Sequence, residues 1–428
     1  MDQEPAGMRR FVLIWLGQVI SMVGSGITAF AISIWVYQKT SSVTLFALTA
    51  FLKYLPGVLA SPLAGWVADR RDRRTIMILA DSGAAFSTLL VAWALWRGEP
   101  ALWPIYVATA ANALFDAFQS PAYAAALATW VPRERLVRAS ALVDLGGKMS
   151  ALVAPPLAGF LLTSLGLAGI LLLDVITCIL AVITLLAVRL PAMERSVPTV
   201  QGEAADGKPL AGMLDSLRYV ARRPGLRGLL VLTGVNLLLI AVNATLSIPI
   251  LLAFTSSGVV GMLALLFGVS GLLGGAAIAA WGGPPRPIDG VLGAHLGVGL
   301  GLILFGLRPN LALMALAGVW LSFLLPIRDS LSAAIWRMRV PQRMQGRVFG
   351  LLQAVSASAF GLTYLALGPL ADRVLEPLLV PGGLLATSVG RVIGVGSGRG
   401  LALCVVLAGL FTLVTTAIAR QSPHVRGV

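Results

Sequence analysis

The chain has 428 residues, 57% hydrophobic and only 12% charged, at a mean hydropathy of +0.89; soluble domains run about 45–50% apolar and 25% charged, which excludes water as its main solvent. A formal charge of +14 would point to nucleic acid in a soluble protein, but most Lys and Arg sit in short links between apolar runs, a pattern that sets membrane orientation and leaves no nucleic-acid partner. The two cysteines, Cys178 and Cys404, both lie in apolar runs, which excludes a disulfide framework and a cysteine metal site.

A bilayer core takes about 20 apolar residues per helix, and twelve such runs follow one another at 11–37, 43–68, 75–96, 102–130, 139–165, 167–188, 227–254, 257–281, 290–307, 311–336, 348–371 and 400–419. The run after the polar start Met1 to Arg10 is too long for the apolar part of a signal peptide. With both termini cytoplasmic, the outer links hold only Lys39, Arg97, Arg308, Arg373, Arg391 and Arg399, and Lys53, Lys148 and Arg328 lie inside spans. The remaining basic residues are inside, as the positive-inside rule asks. The expected architecture is an all-α membrane protein in the inner (cytoplasmic) membrane, with residues 1–188 and 227–428 as two six-helix bundles. Between them, 189–226 is a cytoplasmic linker whose residues 209–223 have the layout of an amphipathic helix on the headgroups.

Gln18 and Asn112 bring neutral hydrogen-bonding groups into spans one and four of the first half, and Asn236 and Asn243, seven apart, bring them into span seven of the second. Each serves either as glue between helices or as lining of a cavity. Charges inside spans carry more information, because an ionised group at mid-membrane costs about 2.5–3.5 kcal/mol on insertion scales and calls for a partner or water. Asp116 falls halfway along span four, with Lys53 and Lys148 as possible partners, and Asp144 and Lys148 are four residues apart on one helix face. Proton coupling through Asp116, a structural ion pair and direct contact with a solute all stay open. Asp81 and Asp174 read as neighbours of basic loops near span ends. Arg328 and Asp329, toward the inner part of span ten, read as an inner gate or a helix-anchoring pair. The outer segment 372–399 is long for a link and reads as a lid or a passive surface helix.

The link after span four, Val131-Pro132-Arg133-Glu134-Arg135-Leu136-Val137-Arg138, recurs 209 positions on as Val340-Pro341-Gln342-Arg343-Met344-Gln345-Gly346-Arg347. The same offset relates Gly65 to Gly274 and Ala68 to Ala277. Two repeats of this kind build a midplane site between them in many transporters.

Between spans two and three the sequence is Gly65-Trp66-Val67-Ala68-Asp69-Arg70-Arg71-Asp72-Arg73-Arg74. It resembles the cytoplasmic signature of the major facilitator superfamily. The resemblance implies that Asp69 acts against a neighbouring helix end, while Arg73 and Arg74 pair with carboxylates of the same half. The family's usual Gly at the eighth position is Asp72 here. Ser120-Pro121-Ala122, the Val131 to Leu136 junction, Ala139-Ser140-Ala141-Leu142 and Gly346-Arg347-Val348-Phe349 resemble the macrolide-efflux and enterobactin-export branch. Ala154-Pro155-Pro156-Leu157-Ala158-Gly159 is similar to the fifth-helix motif of drug–proton antiporters, with Pro155 and Gly159 kept; span four lacks the Arg that many proton-coupled exporters carry.

The resemblance implies a monomeric secondary transporter that exports an amphipathic small molecule, such as a drug, macrolide, siderophore or peptide-like metabolite, in antiport with protons. No cofactor or resident metal is expected. Gly146-Gly147-Lys148 is followed by Met149, so no P-loop is present, and no nucleophile–base or metal constellation supports an enzyme. Lipid-type flipping or uptake by the same fold, and a non-transporting sensor, are the competing functions.

Overall fold

The computed structural model describes residues 4–98, 102–188 and 216–423. Among them there is no strand. Twelve long helices run α1 Glu4–Thr40, α2 Val43–Arg70, α3 Arg73–Trp96, α4 Leu102–Trp130, α5 Leu136–Ser164, α6 Gly166–Ala187, α7 Pro224–Leu252, α8 Ser257–Trp281, α9 Pro287–Leu307, α10 Leu311–Arg339, α11 Gln342–Leu370 and α12 Arg399–Gln421. All but α4 meet the length and apolarity of a membrane span taken alone, and α4 supplies the twelfth. Of the linker, residues 216–221 are helical; the rest of the expected amphipathic helix lies outside the described residues.

Local chemistry explains the boundaries. Asp72 accepts from the Thr75 amide at 2.8 Å and caps α3, and Asn310 accepts from the Leu313 amide at 3.1 Å and caps α10. Pro224 and Pro287 open α7 and α9, where a missing N–H costs nothing. Gly166, at a φ of +67°, lets α5 turn into α6 within one residue. Internal prolines at Pro56, Pro62, Pro121, Pro155, Pro156, Pro249, Pro326 and Pro369 are tolerated because neighbouring helices shield and re-satisfy the freed carbonyls.

The chain divides into two compact units. The first holds α1, α2 from Leu48, α3 to α6, and the start of α8 over Ser256–Leu265; the second holds Ser42–Ala47, α7, α8 from Leu266, and α9 to α12. In the first, α3 packs on α4 and α6, and α1 packs on α5 and α6. The second repeats this six helices on: α9 packs on α10 and α12, and α7 packs on α11 and α12. The offset in the sequence therefore reflects one packing scheme used twice.

Candidate functional site

One face of α1 carries Gln18, Ser21, Ser25 and Thr28, at spacings of three, four and three, and it faces inward rather than toward lipid. Gly17 and Gly24 bring α6 close to it: a Cβ on Gly17 would collide with Thr184, and one on Gly24 would collide with Thr177 Oγ1 and lie 3.3 Å from Asp174 Oδ1. Around this stripe the first unit builds a polar interior in two tiers. In one, Asp81 of α3 accepts at Oδ2 from Gln18 Nε2 (3.0 Å) and at Oδ1 from Gln119 Nε2 (2.7 Å), and Gln119 Nε2 also reaches Gln18 Oε1 at 2.7 Å. In the other, Asp174 of α6 accepts from Ser25 Oγ (2.9 Å) and Thr88 Oγ1 (3.4 Å), while Asn112 bonds Thr88 and Ser87. Gln18 to Ser25, Asp81 to Thr88 and Asn112 to Gln119 are each seven residues, so the tiers stand about 10 Å apart along the helices. Ser21 and Cys178, in contact at 3.5 Å, lie between them.

This corrects the expectation for Asp81 and Asp174. They are 2% and 3% exposed, have no basic group in pairing range among the described residues, and sit inside the bundle. Their neutral partners reach them from helices remote in sequence, which is why they looked like loop neighbours. The seven-residue spacing on three helices is the signal that would have found them.

Asp116, on the same helix as Asn112 and Gln119, is exposed, as is Lys53. The two are electrostatic neighbours without an ion pair within 4.0 Å among the described residues. Asp144 and Lys148 are also exposed, and no ion pair joins them among the described residues.

In the signature loop, the side chain of Asp69 lies outside the described residues. Arg70 stacks on Trp66, 4.2 Å from the ring centre. Among the described residues Arg73 and Arg74 have no carboxylate in pairing range. Arg73 Nη1 donates to the Ala125 carbonyl of α4 (2.7 Å), and Arg74 donates to Leu185 (3.0 Å) and Leu186 (3.1 Å) of α6. Cations are favoured at helix C-termini, where carbonyls lack intrahelical donors, so Arg74 ties the end of α6 to the start of α3, and Arg73 adds a second tie to α4 ahead of its end. A Cβ on Gly65 would meet nothing within 4 Å, whereas one on Gly159 would collide with the Ser257 carbonyl at the start of α8, in the same unit. From that side a Cβ on Gly261 would come within 2.6 Å of the Pro155 carbonyl.

In the second unit, among the described residues, buried Asn236 donates to the Leu232 carbonyl of its own helix at 2.8 Å, and Asn243 Oδ1 has no partner. Arg328 is buried and donates through Nε to Asp329 Oδ1 at 2.9 Å, with Asp329 exposed; Arg328 Nη1 and His295 Nδ1 are orphaned among the described residues. Arg347 is exposed at the start of α11. Sequence reasoning missed Asp372 and Glu376. Asp372, on a π-helical turn after α11, accepts from Ser42 Oγ (2.6 Å), the Val43 amide (2.8 Å) and the Thr44 amide (2.9 Å), capping α2. Glu376 accepts from the Gly398 amide at the head of α12, and Arg399 Nη1 holds the Ile393 carbonyl at 3.2 Å, so the 372–399 segment is folded onto that helix end.

The comparisons with known proteins decide the family. The Major Facilitator Superfamily model matches residues 14–363. The chain belongs to the major facilitator superfamily. Macrolide efflux protein A of Streptococcus pyogenes is 24% identical over 369 residues, covering 85% of this chain and 90% of that protein. Enterobactin exporter EntS of Shigella boydii serotype 4 (strain Sb227) is 26% identical over 424 residues, covering 96% and 94%. Among solved structures, a bacterial homolog of the human lysosomal transporter Spinster, inward-facing and unoccupied, superposes at a TM-score of 0.70 with 17% identity over 97% of this chain and 96% of that one. A D-xylose-proton symporter does so at 0.62 with 14% identity, over 96% and 97%. These likenesses give the superfamily fold of twelve membrane helices, and the protein is a multi-pass membrane transporter.

Proposed function

We propose that this superfamily member exports amphipathic small molecules across the cytoplasmic membrane by alternating access, in antiport with protons. The observation that carries the reading is the near full-length similarity to exporters of two different amphipathic solutes, a macrolide and a siderophore. The sparse charge on its helices supports the solute class, since a sugar or phosphate would call for more polar groups or several cations. Buried carboxylates with no cation within ion-pair distance among the described residues support proton antiport, because such groups are expensive in a span unless they serve transport. The working unit is a monomer with both termini cytoplasmic, and 1–188 and 227–428 are its two moving bundles. Asp116 and Lys53, exposed on the first unit, are the charged groups we assign to solute contact.

The test is accumulation of erythromycin and of a fluorescent cationic dye in cells overexpressing the protein. Export predicts lower accumulation of at least one, and loss of the difference when the proton gradient is collapsed. Equal accumulation with and without the protein refutes export; efflux that survives collapse refutes proton antiport.

A further inference from the structure

The two carboxylates inside the first unit are held in different ways, and the difference points to a function for one of them. Asp81 is bonded only to side-chain amides. Three N–H groups, two from Gln119 and one from Gln18, meet three acceptors: the two oxygens of Asp81 and Gln18 Oε1. The ring is closed for an ionised carboxyl. It also adapts to a protonated one, because a side-chain amide presents a donor or an acceptor by turning about its last bond. With Gln119 turned, its Oε1 takes the acid proton of Asp81 while Gln18 Nε2 still donates to the other carboxyl oxygen, and only the hydrogen bond between the two amides opens. A lysine or arginine in the same place would instead lock the carboxyl ionised.

The charged and titratable groups that face Asp81 fit that role. From α4 comes Asp116, a like charge. From α6 comes Cys178, a neutral thiol, with Asp174 beyond it. From α1 come only Gln18, Ser21 and Ser25. Lys53 faces Asp116 and Asp174. Asp81 is also eight residues past Arg73, on the helix whose start is tied to α4 and to the end of α6, so a change at the carboxyl is carried by a helix tied to both neighbours.

We propose that Asp81, cradled by Gln18 and Gln119, is a proton-binding carboxyl, and that Asp174 is a second station on the same polar path, about two helical turns away within the first unit. The proposal rests on the transport reading for its purpose, not for its chemistry. A proton from water on one side joins a carboxylate oxygen of Asp81 and neutralises it, and the same proton leaves to water on the other side when the O–H bond breaks. Gln18 and Gln119 are positioning residues that share the carboxyl's hydrogen bonds in both states.

The experiment has two arms on the full chain in liposomes. In the first, infrared difference spectra follow the carboxylic-acid carbonyl stretch through a pH titration with no solute present. The wild type should show a titrating band that Asp81→Asn removes and Asp116→Asn retains; Gln119→Leu should keep the band and shift its frequency and midpoint. A band that survives Asp81→Asn unchanged overturns the proposal. Should that variant fail to fold, Gln119→Leu carries the test, and an unshifted band overturns it. In the second arm, Asp81→Asn should exchange labelled erythromycin at equal pH but lose accumulation driven by a pH gradient. Accumulation equal to wild type overturns the coupling role. If the wild type moves neither erythromycin nor the cationic dye while the band behaves as stated, the transport reading falls and the proton site stands.

Discussion

The signature loop departs from its family at Asp72, and the structure says what the departure does. Asp72 accepts from the Thr75 amide at 2.8 Å and the Thr75 hydroxyl at 2.6 Å, capping the helix that carries Asp81. Replacing an N-cap Asp with Ala costs about 0.5–2 kcal/mol, whereas Gly in its place costs only a few tenths. Loss of a negative charge at a helix N-terminus adds about 0.3–1 kcal/mol. Asp72→Ala should therefore lose about 1–2 kcal/mol, and Asp72→Asn, which keeps the cap, only about 0.3–1 kcal/mol from the charge. Asp72→Gly, the usual family residue, should fall near Asn. The assay is reversible unfolding of purified protein in mixed detergent micelles, followed by circular dichroism, with transport of the same variants alongside. A Gly variant as damaged as Ala would refute the capping account, and so would an Ala variant equal to wild type.

Arg74→Ala should lower stability by about 2–4 kcal/mol, since it removes two charge-assisted hydrogen bonds to the end of α6; Arg74→Lys, with no fork, should recover about half in the same unfolding assay. Gly65 and Gly274, related by the repeat, should respond in opposite ways. A Cβ at Gly65 meets open space, so Gly65→Ala should be neutral or gain about 0.5–1 kcal/mol of helix propensity. At Gly274 it collides with the Phe323 carbonyl, so Gly274→Ala should cost about 1–3 kcal/mol. Asp372→Ala leaves the Val43 and Thr44 amides and two hydroxyls without their acceptor and should cost about 1–3 kcal/mol, with Asp372→Asn recovering part of it; faster hydrogen exchange at the start of α2 checks it.

How much could be read from the sequence depended on where each group finds its partner. Twelve apolar runs were legible because a bilayer fixes their length, and the boundary residues Asp72, Asn310, Pro224 and Pro287 act within their own turn of helix. Asp116 and Lys53 were visible as charges in apolar runs and proved to be exposed electrostatic neighbours. The tie between Asp81 and Gln119 was not legible, because it joins residues 38 apart, and Gln18 reaches Asp81 across 63. For Arg73 and Arg74 the resemblance implies carboxylates; the partners found among the described residues are backbone carbonyls, which have no signature in a sequence.

The second unit bears on what the fold requires around Asp81. By the 209-residue offset that relates the two halves, Gln119 of α4 corresponds to Arg328 of α10, and Asp81 of α3 corresponds to Gly290 of α9. In both units the same helices pack on each other, α3 on α4 as α9 on α10. One half sets an amide beside a buried acid on this helix pair. The other sets a buried guanidinium that donates to Asp329, with glycine at the acid's counterpart. The helix pair therefore packs with a carboxyl in one copy and without it in the other, so apolar packing and small residues suffice to hold it.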